Sequence, residues 1–94
     1  MYFAIISQDI ENSLALRKTA RPAHIKRLEK LRDANRLLIA GPFPNPDGEG
    51  FTGSLVVAEF DSLKSAQTWA DADPYMSAGV YANVMVKPYK KVLP

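Results

Sequence analysis

Ninety-four residues with 47% hydrophobic and 23% charged content describe a globular chain rather than a disordered one, with room for a single domain over residues 1–94 and none for a second. There is no cysteine, which excludes a disulfide staple, a thiolate zinc site, an iron–sulfur cluster and a cysteine nucleophile, and fits a reducing compartment. The formal charge is only +2, yet eight of the twelve basic residues lie between Arg17 and Arg36, a concentration that reads as a solvated helix face, as anion steering toward a site, or as a nucleic-acid patch.

Tyr2 to Ser7 (YFAIIS) is a short apolar, partly β-branched run, which predicts a central strand buried on both faces. Leu14 and Leu16 suggest a helical turn or two, and Pro22 predicts a break near Thr19 to Arg21, because proline is tolerated in the first turn of a helix and costly inside one. In the helix that follows, His24, Leu28 and Leu31 fall at i, i+4 and i+7 with Ile25 alongside, so His24 faces inward. Lys26, Arg27, Lys30 and Arg32, with Glu29 and Asp33, are expected on a solvated face.

Arg36 to Gly41 (RLLIAG) reads as a second strand and Ser54 to Phe60 (SLVVAEF) as a third. The proline- and glycine-rich stretch from Pro42 to Gly53 between them predicts a long irregular loop, a possible lid. Asp61 or Ser62 is placed to cap a second helix running through Ala72, with Leu63, Ala66 and Trp69 or Ala70 as its apolar stripe. Asp73-Pro74 ends that helix, and the alternation of Tyr81 to Tyr89 predicts a last strand.

The order β-α-β-β-α-β is the α+β, ferredoxin-like plan: an antiparallel four-stranded sheet with two helices on one face. The other face, apolar if Ile39, Val56 and Val57 point that way, needs covering. A chain this short buries only about 60–65% of the surface it exposes when unfolded, so a homodimer is the simplest cover. No run approaches the roughly 20 apolar residues of a membrane span and the start lacks a signal-peptide pattern, which predicts a cytoplasmic protein with no membrane partner.

Several motifs fail on their context. Gly48, Gly50 and Gly53 spell the dinucleotide pattern G-x-G-x-x-G, but a strand follows them instead of the helix whose N-terminus would receive the pyrophosphate. The topology is shared with RNA-binding domains, yet Leu55, Val56 and Val57 stand where stacking aromatics would be needed. One histidine and scattered carboxylates make no metal site. No serine sits in a nucleophile elbow. Neither a cofactor, a metal nor a nucleic acid is expected.

His24 is the only side chain whose ordinary pKa lies near neutrality. Pattern alone leaves two readings open: a hydrogen-bonded core histidine, or an acid–base group. Asp73, close to a helix C-terminus whose dipole opposes it, is either a cap for the turn before Pro74 or the partner of His24. If the two meet, Asp73 fixes the imidazole tautomer. Asp71 and Asp33 are poorer partners.

The blocks RPAHIKRLEKL, LLIAGPFP, GFTGSLVVAEF and WADADPYMSAGVYANVMVKPYKKV, in order and in spacing over nearly the whole chain, resemble the YciI-like (YCII-related) family. That family is similar in fold to the dimeric α+β barrels that include muconolactone isomerase. The resemblance implies a histidine and aspartate pair, here His24 and Asp73, with Gly41, Pro42, Ser54, Tyr75 and Gly79 walling a small cleft. It further implies proton-transfer chemistry, since one member is a dehydrochlorinase of a chlorinated aromatic compound. The expected function is a small cofactor-free enzyme in which His24 moves a proton on a small anionic metabolite, in an elimination or isomerisation, with Asp73 orienting it and Arg21 or a neighbour holding the anion. The alternative is a non-catalytic dimeric module that binds a metabolite or partner in the same cleft.

Overall fold

The computed structural model describes residues 1–94. Strands β1 (Tyr2–Asp9), β2 (Leu37–Pro44), β3 (Phe51–Glu59) and β4 (Tyr81–Tyr89) form one antiparallel sheet in the order β2-β3-β1-β4, and helices α1 (Leu14–Asp33), α2 (Leu63–Asp71) and α3 (Pro74–Ser77) connect them. The fold is the ferredoxin-like α+β plan, with the apolar first strand central as its composition requires. Cross-strand register places Phe3 opposite Ala58, Ile5 opposite Val56 and Val86, and Ser7 opposite Ser54. Because side chains alternate along a strand, these residues share one face. Phe3, Ile5, Val56 and Ala58 join Leu31 of α1 and Ala66 and Ala70 of α2 in a single buried cluster, so both long helices cover that same face.

Val56 therefore points into the core and does not belong to the uncovered face. The opposite face carries Ala4, Ile6, Ile39, Leu55, Val57 and Met85 by the same alternation, and Ile6, Ile39, Phe43, Met85 and Tyr89 are exposed.

Two expectations are corrected and a third is extended. The break before Pro22 does not occur: α1 is continuous from Leu14 to Asp33 with Pro22 inside it. Proline in a helix interior costs about 3 kcal/mol, but Pro22 and Lys18, whose carbonyl loses its donor, are both exposed, so water can serve that carbonyl. The helix is also pinned on either side, through Arg17 to Asp9 and through His24 to Asp73, contacts that a break would forfeit. The long loop shrinks to Asn45–Gly50, because β2 runs on through Pro44 and β3 starts at Phe51. Pro42 and Pro44 fit a strand because β2 is an edge, where a missing N–H interrupts no outer ladder. Gly53 is required in β3 for a different reason: a Cβ there would run into the Ser7 carbonyl oxygen of β1. This segment is a paired hairpin and not a free lid. Asp73-Pro74 ends α2 as expected and also begins a further short helix, α3.

Local signals account for the helix ends. Ser62 caps α2 in a reciprocal box with Ser65, the role that the sequence allotted to Asp61 or Ser62. Asn35, at φ 58°, closes α1: its N–H donates to the Arg32 carbonyl and that of Arg36 to the Leu31 carbonyl, the paired bonds of a left-handed C-terminal turn.

Candidate active site

α1 carries Arg17, Arg21, His24, Leu28 and Leu31 at the spacing 4-3-4-3, which lays them along one stripe. The stripe faces β2 and β3 across a cavity of ≈ 380 Å³. His24 sits in its wall. The Nδ1–H of His24 donates to both oxygens of Asp73, at 2.9 and 3.0 Å, and the two residues are 6% and 4% exposed. Asp73 is placed from the other end of the fold: as the N-cap of α3 it also accepts the Tyr75 N–H at 2.8 Å. Its location at the start of α3 answers the dipole objection, since a helix N-terminus favours a carboxylate.

With Nδ1 committed to a carboxylate, the neutral imidazole keeps its lone pair on Nε2. No group in the chain hydrogen-bonds Nε2, and the atom is not sealed from solvent. The unpartnered nitrogen belongs to a side chain that lines the cavity. The His24 ring stacks on Tyr75 with centroids 4.0 Å apart and planes 10° apart, which holds the imidazole plane. Behind Asp73, Nη1 of Arg27 lies 3.9 Å from Oδ2 while Nη2 donates to the Trp69 carbonyl and the guanidinium covers the Trp69 ring at 4.2 Å. Burial pulls the Arg27 pKa down, and Asp73 partly opposes this. The expected solvated position of Arg27 is thus wrong: its stem and head pack between α1 and α2.

Of the residues expected to wall a cleft, Arg21, Gly41, Pro42, Ser54 and Tyr75 do line this cavity and Gly79 does not. Gly79, at φ +79°, makes the turn between α3 and β4, where its N–H donates to the Met76 carbonyl. No carboxylate lines the cavity, whereas Arg17, Lys18 and Arg21 do.

Arg17 is a functional side chain to which no local pattern in the sequence assigned a place. It is 5% exposed, with Nε donating to Asp9 Oδ2 at 2.6 Å and Nη2 to Asp9 Oδ1 and the Gly53 carbonyl at 3.0 Å each. Ser13 donates to the same carboxylate at 2.6 Å. Burial disfavours the Arg17 cation, but its bond to Asp9 and the charge of Asp9 more than offset this and move its pKa up. A signal for it did exist. Carried back from His24, the helical stripe runs through Arg21 to Arg17, and only the break expected at Pro22 cut it short.

On the sheet side, the Tyr81 hydroxyl and Ser54 Oγ are 2.9 Å apart. Burial pushes the Tyr81 hydroxyl up to about 12, against the hydrogen bond from Ser54. Because this value exceeds that of an unfolded tyrosine, about 10, its contribution to stability is intact below pH 10 and is lost as pH climbs toward 12, by at most about 3 kcal/mol. In an ultraviolet titration of the four tyrosines, Tyr81→Phe is expected to remove the component ionising near pH 12. An unchanged high-pH limb would contradict the burial of this hydroxyl.

The profile of the YCII-related domain matches residues 1–90. The chain belongs to the YCII-related family. It is 56% identical to protein YciI of Escherichia coli O6:H1 (strain CFT073) over 98% of this chain and 99% of that protein. It is 53% identical, with the same coverage, to an uncharacterized protein of Haemophilus influenzae (strain Rd). Among solved structures it is similar to 5-chloro-2-hydroxyhydroquinone dehydrochlorinase (TftG) from Burkholderia phenoliruptrix AC1100, in complex with 2,5-dihydroxybenzoquinone. The TM-score is 0.84 and the identity 29%, covering 96% of this chain and 94% of that one. Within this YCII-related chain, no helix is long and apolar enough to cross a membrane.

Proposed function

We propose that this protein is a small acid–base enzyme in which His24 removes a proton from carbon in a compact, anionic carbonyl or ring compound and so drives an elimination or an isomerisation. The observation that carries the reading is the His24 imidazole, fixed through Nδ1 by both oxygens of Asp73, with Nε2 unpartnered on a side chain that lines a cavity. A cavity of ≈ 380 Å³ lies at the small end of ligand sites, about 300–1,000 Å³, which suits a single ring. The cations along its wall, with no carboxylate among them, favour a negative ligand. The similarity to a dehydrochlorinase supports elimination as the class of reaction.

In an elimination the C–H pair becomes the new π bond, the leaving group departs with its bonding electrons as an anion, and the proton rides on Nε2 until water takes it. In an isomerisation Nε2 returns the proton to another carbon. Both need one positioned base, and general acid–base catalysis by such a group contributes about 10²–10⁴-fold.

The test does not require the natural substrate. Small enolisable keto acids and halogenated hydroquinones are incubated with the protein in D₂O, and loss of C–H signal or release of halide is followed by NMR and ion chromatography. Exchange or release that vanishes in His24→Asn, with ligand binding retained, supports the proposal. Equal rates in the two proteins, or binding without any exchange, overturn it in favour of a binding module.

We also propose that a second copy covers the outer sheet face, since Ile6, Ile39, Phe43, Met85 and Tyr89 leave it apolar and exposed and a domain of this size gains most from burying such a face. Light scattering is expected to give twice the chain mass, and Met85→Asp about the chain mass. A monomeric parent protein overturns this part and leaves the chemistry of His24 untouched.

A further inference from the structure

Three polar groups on the cavity wall keep hydrogen-bonding capacity to spare. His24 Nε2 is one. The second is Nη1 of Arg17, whose other nitrogens are tied to Asp9 and to the Gly53 carbonyl. The third is the hydroxyl of Tyr75, which lies within reach of the Arg17 guanidinium and keeps its own proton to donate; its ring stacks on His24 at 4.0 Å and its centroid lies 5.1 Å from the Arg17 guanidinium. All three residues are nearly buried and line the cavity, yet none of these atoms is sealed from solvent, in contrast to Arg27 Nη1. Two of them are donors fixed in place beside the one base.

We propose that Arg17 Nη1 and the Tyr75 hydroxyl form an anion hole that holds the enolate or phenolate oxygen of a planar, oxygenated ring substrate as His24 takes its proton. The inference rests on the acid–base reading above and adds the groups that receive the charge. When the C–H pair is released to the ring it moves through the adjacent carbon onto a carbonyl oxygen, which becomes O⁻. Donors already aimed at that oxygen stabilise the transition state without reorganising, which is the largest electrostatic contribution in most such sites. Arg17 is suited to it because Asp9, Gly53 and a second aromatic ring, Phe51 at 5.1 Å, immobilise the guanidinium, so little rotamer entropy is lost on binding. Tyr75 is suited because its hydroxyl stays a neutral donor: burial raises its pKa, against the opposing charges of Arg17 and Arg21.

The test is equilibrium binding by calorimetry of two probes of similar shape, 2,5-dihydroxybenzoquinone, which is ionised at neutral pH, and hydroquinone, which is not. Arg17→Lys keeps a cation beside Asp9 but removes Nη1, and Tyr75→Phe keeps the stacked ring but removes the hydroxyl. The parent protein and His24→Asn are expected to bind the ionised probe more tightly than hydroquinone. Arg17→Lys and Tyr75→Phe are each expected to weaken the ionised probe by about 10- to 100-fold, the range for hydrogen bonds to a charged group, with hydroquinone shifted less than about 2-fold. Variants that bind the ionised probe as the parent does, or a parent with no preference for it, overturn the anion hole while leaving the His24 exchange result standing. Preferential binding lost in both variants, with no exchange in any protein, keeps the anion hole and discards the acid–base reading.

Discussion

Asp73→Asn is expected to lower any His24-dependent turnover by about 10²–10⁴-fold while leaving the fold intact. The carboxylate accepts the Nδ1 proton of His24 and the Tyr75 N–H. An asparagine can still accept from Tyr75 and cap α3 through its carbonyl oxygen, but its amide N–H₂ offers a donor to Nδ1. The imidazole proton then moves to Nε2, and the unpartnered nitrogen turns from base to donor. In serine-protease triads this wrong tautomer costs about 10⁴-fold, and the whole contribution of a positioned base is about 10²–10⁴-fold. With a single histidine in the chain, ¹⁵N NMR reads the tautomer directly: Nδ1–H in the parent protein, Nε2–H in Asp73→Asn. A parent protein with its neutral proton on Nε2 would remove Asp73 from the mechanism. Loss of activity with an unchanged tautomer would assign Asp73 to packing.

The largest expected loss of stability belongs to Arg17. Its ion pair with Asp9 is almost fully buried, the two side chains being 6% and 1% exposed. Removing one partner leaves an uncompensated charge in the interior, which costs about 3–5 kcal/mol, a large share of the roughly 5–15 kcal/mol that holds a domain folded. Arg17→Met should therefore unfold far earlier in urea than the parent. Asp9→Asn combined with Arg17→Met removes both charges and should recover part of the loss, because a neutral pair has no stranded ion. The double-mutant cycle reads this coupling. Additive costs, or a single-variant cost below about 1 kcal/mol, would show the pair to be hydrated and peripheral.

Both experiments turn on contacts that no local pattern announces. His24 and Asp73 are 49 residues apart in the chain, and the helical period says only that His24 points inward. Whether it meets a carboxylate depends on α3 beginning at Asp73, a four-residue helix too short to leave a periodic trace. Residue pattern left the pairing open beside a capping role for Asp73, and the resemblance to the YCII-related family implied it. Arg17 escaped for the opposite reason: a local rule about proline fails where tertiary contacts override it, and the expected break separated Arg17 from the stripe that carries His24.

The elements themselves were legible because they rest on short-range physics. An apolar, partly β-branched run marked β1, alternation marked β4, the 3.6-residue stripe marked the inward side of α1, and the Ser62 cap is satisfied by a neighbour three residues away. By itself the sequence determined the order of strands and helices, the central first strand and the inward histidine. Only the tertiary structure decided that Pro22 stays inside a helix, that Pro42 and Pro44 lie in an edge strand and that Val56 faces the core. It also decided that Arg17, His24 and Tyr75 open onto one cavity. The reason is physical: propensity and period are properties of residues close in the chain, whereas the partner of a buried charge is set by where distant segments pack.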